Sequence, residues 1–368
     1  MLITIISFIV IFSILVLVHE WGHFAAARSA GIKVEEFGIG LPPRAKKIFK
    51  DNKGTIYSLN WIPFGGFVRL FGEDSIDPKI LKDKKSFASK SISKRTLVIV
   101  AGVFMNFVLA WVLITFGFIV GMKPFMATPD DIQKGIESGL VDSKKIFYIH
   151  EIDPNGTLAK TDIKTGDYII AVNGISVKEG MDLNNIVKPN EQTSIRYVHN
   201  EKENIAEVTA NGKGKIGMTI SMEDFILNIK NVKYPFYIAP IKAVSEIWRL
   251  SVLTVRTIGN VVVSLVAKFT VPEGVAGPVG IYKMTSIFAK QGFMALVQFT
   301  ALLSISLGVI NIMPFPALDG GRFLFIIYEL ISRRKANAKW ETIIHSIGFA
   351  LLMLMILAIT WNDIVNLF

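Results

Sequence analysis

The sequence predicts a polytopic α-helical membrane protein with four transmembrane helices and one small β-rich domain between the second and third. Three observations predict it. Half of the 368 residues are hydrophobic (51%) and only 19% are charged, and the mean hydropathy is +0.46; a soluble chain of two or three domains rarely carries so few charges. Four apolar runs are each of about the length that crosses a bilayer, roughly 20 residues. Basic residues gather in two of the segments between those runs, as expected of cytoplasmic loops.

The first run, LITIISFIVIFSILVLV, opens a transmembrane helix over 1–27. A cleaved signal peptide is the competing explanation, because FAAARSA resembles a small-residue cleavage site. The basic leader segment is missing, however, and a discarded peptide has no use for HEWGH. Residues 28–95 carry Arg28, Lys33, Arg44, Lys46, Lys47, Lys50, Lys53 and further lysines and arginines, so this segment is expected in the cytoplasm. Inside it, 55–71 (TIYSLNWIPFGGFVRLF) reads as two strands around a Pro63-Phe64-Gly65-Gly66 turn, unusually apolar for a soluble hairpin. The second transmembrane helix covers 96–121.

Residues 125–225 alternate short strand patterns with turn residues: IFYIHEID, then TGDYIIAVNG, a short helical stretch, and TSIRYVH. This β-rich domain is expected outside the cytoplasm. Residues 226–292 are an amphipathic, interfacial region; 240–268 mixes valines and leucines with Lys242, Glu246, Arg249, Arg256 and Lys268. A fifth span there is the alternative. It would move the basic loop of Arg322, Arg333, Arg334, Lys335 and Lys339 outside, against the positive-inside rule. The third transmembrane segment is 293–332 and the fourth helix 342–366. Much of the net charge of +10 is thus topological, and nucleic acid is not an expected partner. Absence of cysteine excludes disulfide scaffolds, cysteine-based zinc fingers and thiol nucleophiles.

Chemistry concentrates at His19-Glu20-Trp21-Gly22-His23, an H-E-x-x-H pattern inside the first span. Residues i and i+4 share one helix face, so both imidazoles reach one metal ion, with Glu20 near enough to serve as general base. Ionisable groups in an apolar span are costly and mark function by default. A pair of interfacial histidines with a snorkelling Glu20 is the alternative. Catalytic zinc takes three protein ligands and leaves a position open, so a third ligand is needed. His150 and His199 belong to the outer domain, and His345 fits a packed histidine of the fourth span. Asp319 stands apart: it ends the third apolar run in Asn311-Ile312-Met313-Pro314-Phe315-Pro316-Ala317-Leu318-Asp319-Gly320. His19 lies about 25 Å along a helix entering from outside, and Asp319 lies at the inner end of another. The two prolines break the helix, which a membrane tolerates only beside a cavity. A plain helix cap or turn residue is the alternative for Asp319.

These two motifs, in this order and placement, resemble the site-2 protease family of intramembrane zinc metalloproteases. The bacterial PDZ-containing type, like the regulator of sigma-E protease, is the most similar branch. VEEFGIG (34–40), PFGGFVRLFGED (63–74), TGDYIIAVNG (165–174) and AGPVGI (276–281) extend the resemblance over nearly the whole chain. It implies a polytopic α-helical fold with four transmembrane helices, a membrane-associated β-hairpin at 55–71 and one extracytoplasmic PDZ-like α+β domain. It implies Zn2+ held by His19, His23 and Asp319, with Glu20 as catalytic base. It implies substrate contacts from Asn311, Pro314 and Pro316, and from Gly65, Gly66 and Phe67 on the hairpin's edge strand. Its substrates would be single-span membrane proteins in a bacterial cytoplasmic (inner) membrane, such as anti-sigma factors or remnant signal peptides, the lipid bilayer being the other partner. Two alternatives share parts of this reading: a membrane-anchored metalloprotease acting on soluble or unfolded proteins, and a non-enzymatic PDZ membrane scaffold.

Overall fold

The computed structural model describes residues 2–73, 75–177, 186–199, 202–268 and 276–365. The chain divides into two compact units, 123–231 and the remainder. The remainder opens with α1 (Leu2–Ser29), β1 (Val34–Lys50), β2 (Ile56–Leu70), the short α2 (Pro78–Lys82) and α3 (Ile92–Val120). The 123–231 unit holds α4 (Pro129–Glu137), β3 (Val141–Ile152), β4 (Tyr168–Val172), β5 (Ile175–Ser176), β6 (Gln192–His199), β7 (Lys202–Thr209) and β8 (Met218–Ile229). The chain then continues with α5 (Ala239–Lys268), α6 (Pro278–Gln291), α7 (Phe293–Ile312), α8 (Asp319–Ser332) and α9 (Ala338–Val365).

Among the described residues, four helices are long and apolar enough to cross a membrane: α1, α3, α7 and α9. Each is apolar on all faces, so its outward side chains suit lipid and its small or polar residues face inward. Phe104, Trp111 and Phe116 of α3 are exposed, whereas Arg95, Gly102, Asn106 and Gly117 are buried. α5, the 30-residue amphipathic helix, is not one of the four. It pairs Arg249 with Glu246 at 2.6 Å, receives Trp111 Nε1–H at the Pro240 carbonyl (3.1 Å), and leaves Ile241, Val244 and Trp248 exposed. The third apolar segment is broken at its two prolines. α7 stops at Ile312, and α8 restarts at Asp319 after the Pro314 and Pro316 break.

The segment 55–71 departs from its expected form. Its two arms do reverse direction, but they do not pair with each other: both belong to one continuous strand, β2, and flank the first part of β1. Segment 34–39 lies between 66–70 on one side and 56–59 on the other, and 56–62 pairs on its far side with 41–50. Gly65 with φ +71° lets β2 reverse at the expected Pro63-Phe64-Gly65-Gly66 turn. The Asn60 amide, bonded to the Ile39 and Gly40 carbonyls (3.2 and 3.1 Å), holds the matching bend in β1. Glu36 anchors the inner half. Its buried carboxylate takes bonds from Arg44 (2.8 and 2.5 Å) and Ser58 (2.7 Å). Burial pushes the Glu36 carboxyl up, but Arg44 and Ser58 outweigh it and hold the group below the ordinary carboxylate range.

In the 123–231 unit, the sheet order is β7-β6-β4-β3-β8, with β5 paired to β4. Alternating inward residues Ile149, Ile169, Val172, Ile195 and Val208 close on Leu158 to make its core. α4 begins with a reciprocal Thr128–Asp131 capping box. The short helical stretch expected between β5 and β6 falls largely outside the described residues.

Candidate active site

The H-E-x-x-H sequence falls wholly within α1, which places His19 and His23 on one face, both buried (7% and 9% exposed). That face meets α3 at very close range. A side chain on Gly22 would strike the Ala101 carbonyl, and one on Gly102 would strike the His23 ring. The two glycines let the helix backbones approach closely enough to pin the imidazoles between them.

The break between α7 and α8 brings the third group in. The Ala317 N–H donates to His345 Nδ1 of α9 at 2.9 Å, fixing the loop that carries Asp319 to the start of α8. Asp319 Oδ2 then lies 3.2 Å from His19 Nε2 and 3.2 Å from His23 Nε2, and the two Nε2 atoms are 3.1 Å apart. These three atoms form a nearly equilateral triangle. Zinc ligands at roughly 2.0–2.1 Å in a tetrahedral set stand roughly 3.3–3.4 Å from one another, so the triangle matches one face of such a set. Buried Asp319 Oδ2 makes no regular hydrogen bond, and three electron-pair donors this close together are satisfied by a cation. Among the described residues, this is the one group of three or more histidine, aspartate or glutamate side chains that could hold a metal ion.

Glu20 sits beside this triangle on the neighbouring face. Its Oε2 accepts the Val68 N–H of β2 at 2.9 Å. Val68 belongs to the edge segment 66–70, paired with β1 on its far side only, so the free edge of the sheet faces the candidate base. Gly65 and Gly66 lie against Val16 and Leu17 of α1, and Ser13 Oγ donates to the Pro63 carbonyl (3.4 Å). The hairpin thus runs along α1 from Ser13 to Glu20. Phe67 follows Gly66 on the same segment, with the Arg69 guanidinium 5.8 Å from its ring centre. Asn311 is in the last turn of α7, and Pro314 and Pro316 lie in the break. His150 and His199 are in the 123–231 unit, where His199 pairs with Asp167 at 2.7 Å.

Several contributors were not singled out from sequence. The Val68 amide is backbone and leaves no residue-type signature. Gly102 and Asn106 did leave one, a glycine and an amide inside an otherwise apolar run. Asn106 is fully buried with its side chain 3.1 Å from His19 Nδ1, and His23 Nδ1 is 2.8 Å from the Val98 carbonyl. A cavity of about 490 Å3 borders the loop before Asp319 at Ala317, lined also by Arg95, Arg322, Glu329 and His345.

A buried two-histidine, one-carboxylate cluster with an adjacent glutamate, built between membrane-length helices, defines a metal-dependent hydrolase of the membrane. The comparisons agree. Residues 7–355 match peptidase family M50, and the chain belongs to that family. A Clostridium acetobutylicum protein named provisionally as a zinc metalloprotease is 32% identical, over 97% of this chain and 96% of its own. The zinc metalloprotease RasP of Shouchella clausii is 29% identical, and the regulator of sigma-W protease RasP of Bacillus subtilis 28%. Each of these two alignments covers 99% of both proteins. The protein is therefore a zinc metalloprotease with several membrane-length helices.

Proposed function

We propose that this protein hydrolyses peptide bonds within the transmembrane segments of single-span membrane proteins. The observation that carries the reading is the meeting of three parts beside α1: the His19–His23–Asp319 triangle, Glu20, and the free edge of β2 at Val68. In this reading His19, His23 and Asp319 hold the zinc ion and Glu20 is the catalytic base. When bound, zinc supplies Lewis-acid polarisation of the scissile carbonyl and makes water nucleophilic near neutral pH.

The chain's own residues supply the rest. A substrate helix hides its carbonyls in internal hydrogen bonds and must open before attack. The edge 66–70 offers replacement main-chain bonds to the extended segment by strand addition. Gly65, Gly66 and Phe67 would form that track, with Asn311, Pro314 and Pro316 on the other side of the substrate. Glu20 keeps Oε2 on the Val68 amide and uses Oε1 to take the proton of the attacking water. It returns that proton to the leaving amine nitrogen. Water reaches the loop before Asp319 through the cavity lined by Arg95, Arg322 and Glu329.

By the positive-inside rule, 28–95 and the Arg333-Arg334-Lys335 loop face the cytoplasm, and the 123–231 unit, read as PDZ-like, faces outward. The active site then opens near the cytoplasmic side. That outer unit would screen out substrates still carrying bulky outer domains, so cleavage would follow an earlier cut. α5 would lie at the membrane interface. Anti-sigma factors or remnant signal peptides are the substrate type, the former in keeping with the name of the B. subtilis relative.

Glu20→Gln in the full chain, reconstituted with a model single-span substrate, tests the reading. Cleavage is expected to fall by at least about 10²-fold, the low end for loss of a general base, with zinc content unchanged. Full activity would overturn it. Cleavage of unfolded soluble protein in place of the membrane segment would favour the anchored soluble-type protease.

A further inference from the structure

The reading of His19, His23 and Asp319 as ligands leaves one requirement unmet, and the second apolar helix supplies it. We propose that Asn106 is a positioning residue that selects the tautomer of His19 by turning its side-chain amide. It offers Oδ1 to the Nδ1–H, which leaves the Nε2 lone pair free for the metal.

The argument starts from His23. A main-chain carbonyl can only accept, so Val98 O at 2.8 Å fixes the His23 proton on Nδ1 and leaves a lone pair on Nε2, facing Asp319. His19 has no such fixed partner. Its Nδ1 lies 3.1 Å from Asn106 Nδ2. An amide N–H there donates to Nδ1, which puts the ring proton on Nε2, where Asp319 Oδ2 stands 3.2 Å away. A metal ligand needs the opposite one, with the proton on Nδ1 and an acceptor facing it. Asn106 carries that acceptor on the same group: Oδ1 is buried and has no hydrogen-bond partner. A half-turn of the amide exchanges the two atoms.

The rest of α3 does not explain the residue. Ser304 Oγ of α7 donates at 2.7 Å to the main-chain carbonyl of Asn106, a bond any side chain would keep. A fully buried amide among apolar helices is costly to retain, and the contact made by its side chain is with a metal-ligand candidate. Val98 and Asn106 therefore hold the outer nitrogens of the two imidazoles from one helix, one with a fixed acceptor and one with a reversible one.

The test measures zinc affinity of the full-length protein in detergent by competition with a chelator, for wild type, Asn106→Leu and Asn106→Asp. Leucine matches the volume and can neither donate nor accept, whereas aspartate is an acceptor only. Leucine is expected to weaken zinc binding by about 10–100-fold, the usual cost of losing an outer partner of a ligating histidine. Aspartate is expected to bind at or above wild-type affinity. Wild-type affinity in a folded Asn106→Leu protein would overturn the proposal, as would equal loss in both variants. No zinc binding by the wild type would overturn the ligand assignment itself, a separate outcome.

Should the leucine variant fail to fold, cobalt-loaded wild type and Asn106→Asp are compared by proton NMR. Two slowly exchanging, strongly shifted imidazole N–H signals are expected. One moves in the aspartate variant and the other, from His23 on Val98 O, stays. Two unmoved signals would overturn the proposal.

Discussion

Two charged clusters are buried where α3 and α8 meet the rest of the helical unit, and they are built in opposite ways. In one, Arg95 of α3 and Glu329 of α8 face each other, 8% and 7% exposed. Both Arg95 terminal nitrogens reach the two Glu329 oxygens, and Glu329 also accepts the Ala336 N–H at 3.1 Å. The opposite charges meet through both terminal nitrogens, and Arg95 Nε is the one atom of the pair that makes no hydrogen bond. In the other, three electron-pair donors from α1 and α8 crowd within 3.2 Å of one another, and Asp319 Oδ2 has no regular partner. A matched pair joins helices; a convergence of acceptors calls for an ion. Burial alone does not separate structure from function here, whereas the balance of donors and acceptors does.

This contrast can be broken in measurable ways. Asp319→Ala should give the largest effect: zinc content falling from about one ion per chain to background and cleavage lost, by metal analysis and turnover of a model span. Retained zinc and activity would place the triangle with Arg95–Glu329 as a structural feature. Next comes the ion pair itself. Arg95→Met alone strands a buried carboxylate and should destabilise the fold by about 3–5 kcal/mol, whereas Arg95→Met with Glu329→Leu should recover most of that loss. Thermal unfolding in detergent measures both. No second substitution should restore the Asp319→Ala enzyme.

Gly102→Ala should act more subtly, by pressing on the His23 ring. A displacement of about 1 Å lowers turnover by about 10²-fold, and cleavage should suffer far more than the thermal midpoint. The smallest effect belongs to Glu36. Its carboxyl is held below the ordinary range, so the stabilisation it brings to the hairpin is fully present above the unfolded-state value. It fades as pH falls through the lowered one. Because Arg44 is exposed, solvent screens the pair and the effect is small. Proteolytic protection of 34–70 should weaken on acidification, and Glu36→Gln should abolish that dependence.

Much of this was legible in the sequence because a membrane makes polar residues conspicuous. His19 and His23 announce themselves by spacing, and Asp319 by the Pro314 and Pro316 break ahead of it. The β1–β2 pairing was not legible. The second half of β1 reads as a basic loop (Arg44, Lys46, Lys47, Lys50), and strand partners distant in sequence leave no local trace. From sequence alone, 55–71 shows its two strands and their turn but not the segment 34–39 that lies between them. Asn106 is visible as the one amide of its apolar run, but a lone amide does not by itself point to His19 as its partner. The contribution of Val68 resides in a peptide N–H, which no residue type encodes.

That peptide N–H has a consequence for what can be cut. Outward amides on an edge strand recur at every second residue, and the one at Val68 is occupied by Glu20. An incoming chain must take its main-chain bonds from the neighbouring outward amides and skip this one. Under the proposed function the glutamate would act as an index mark: it would decide which peptide unit halts opposite the two imidazoles, so selection of the bond and activation of water would fall to a single carboxylate.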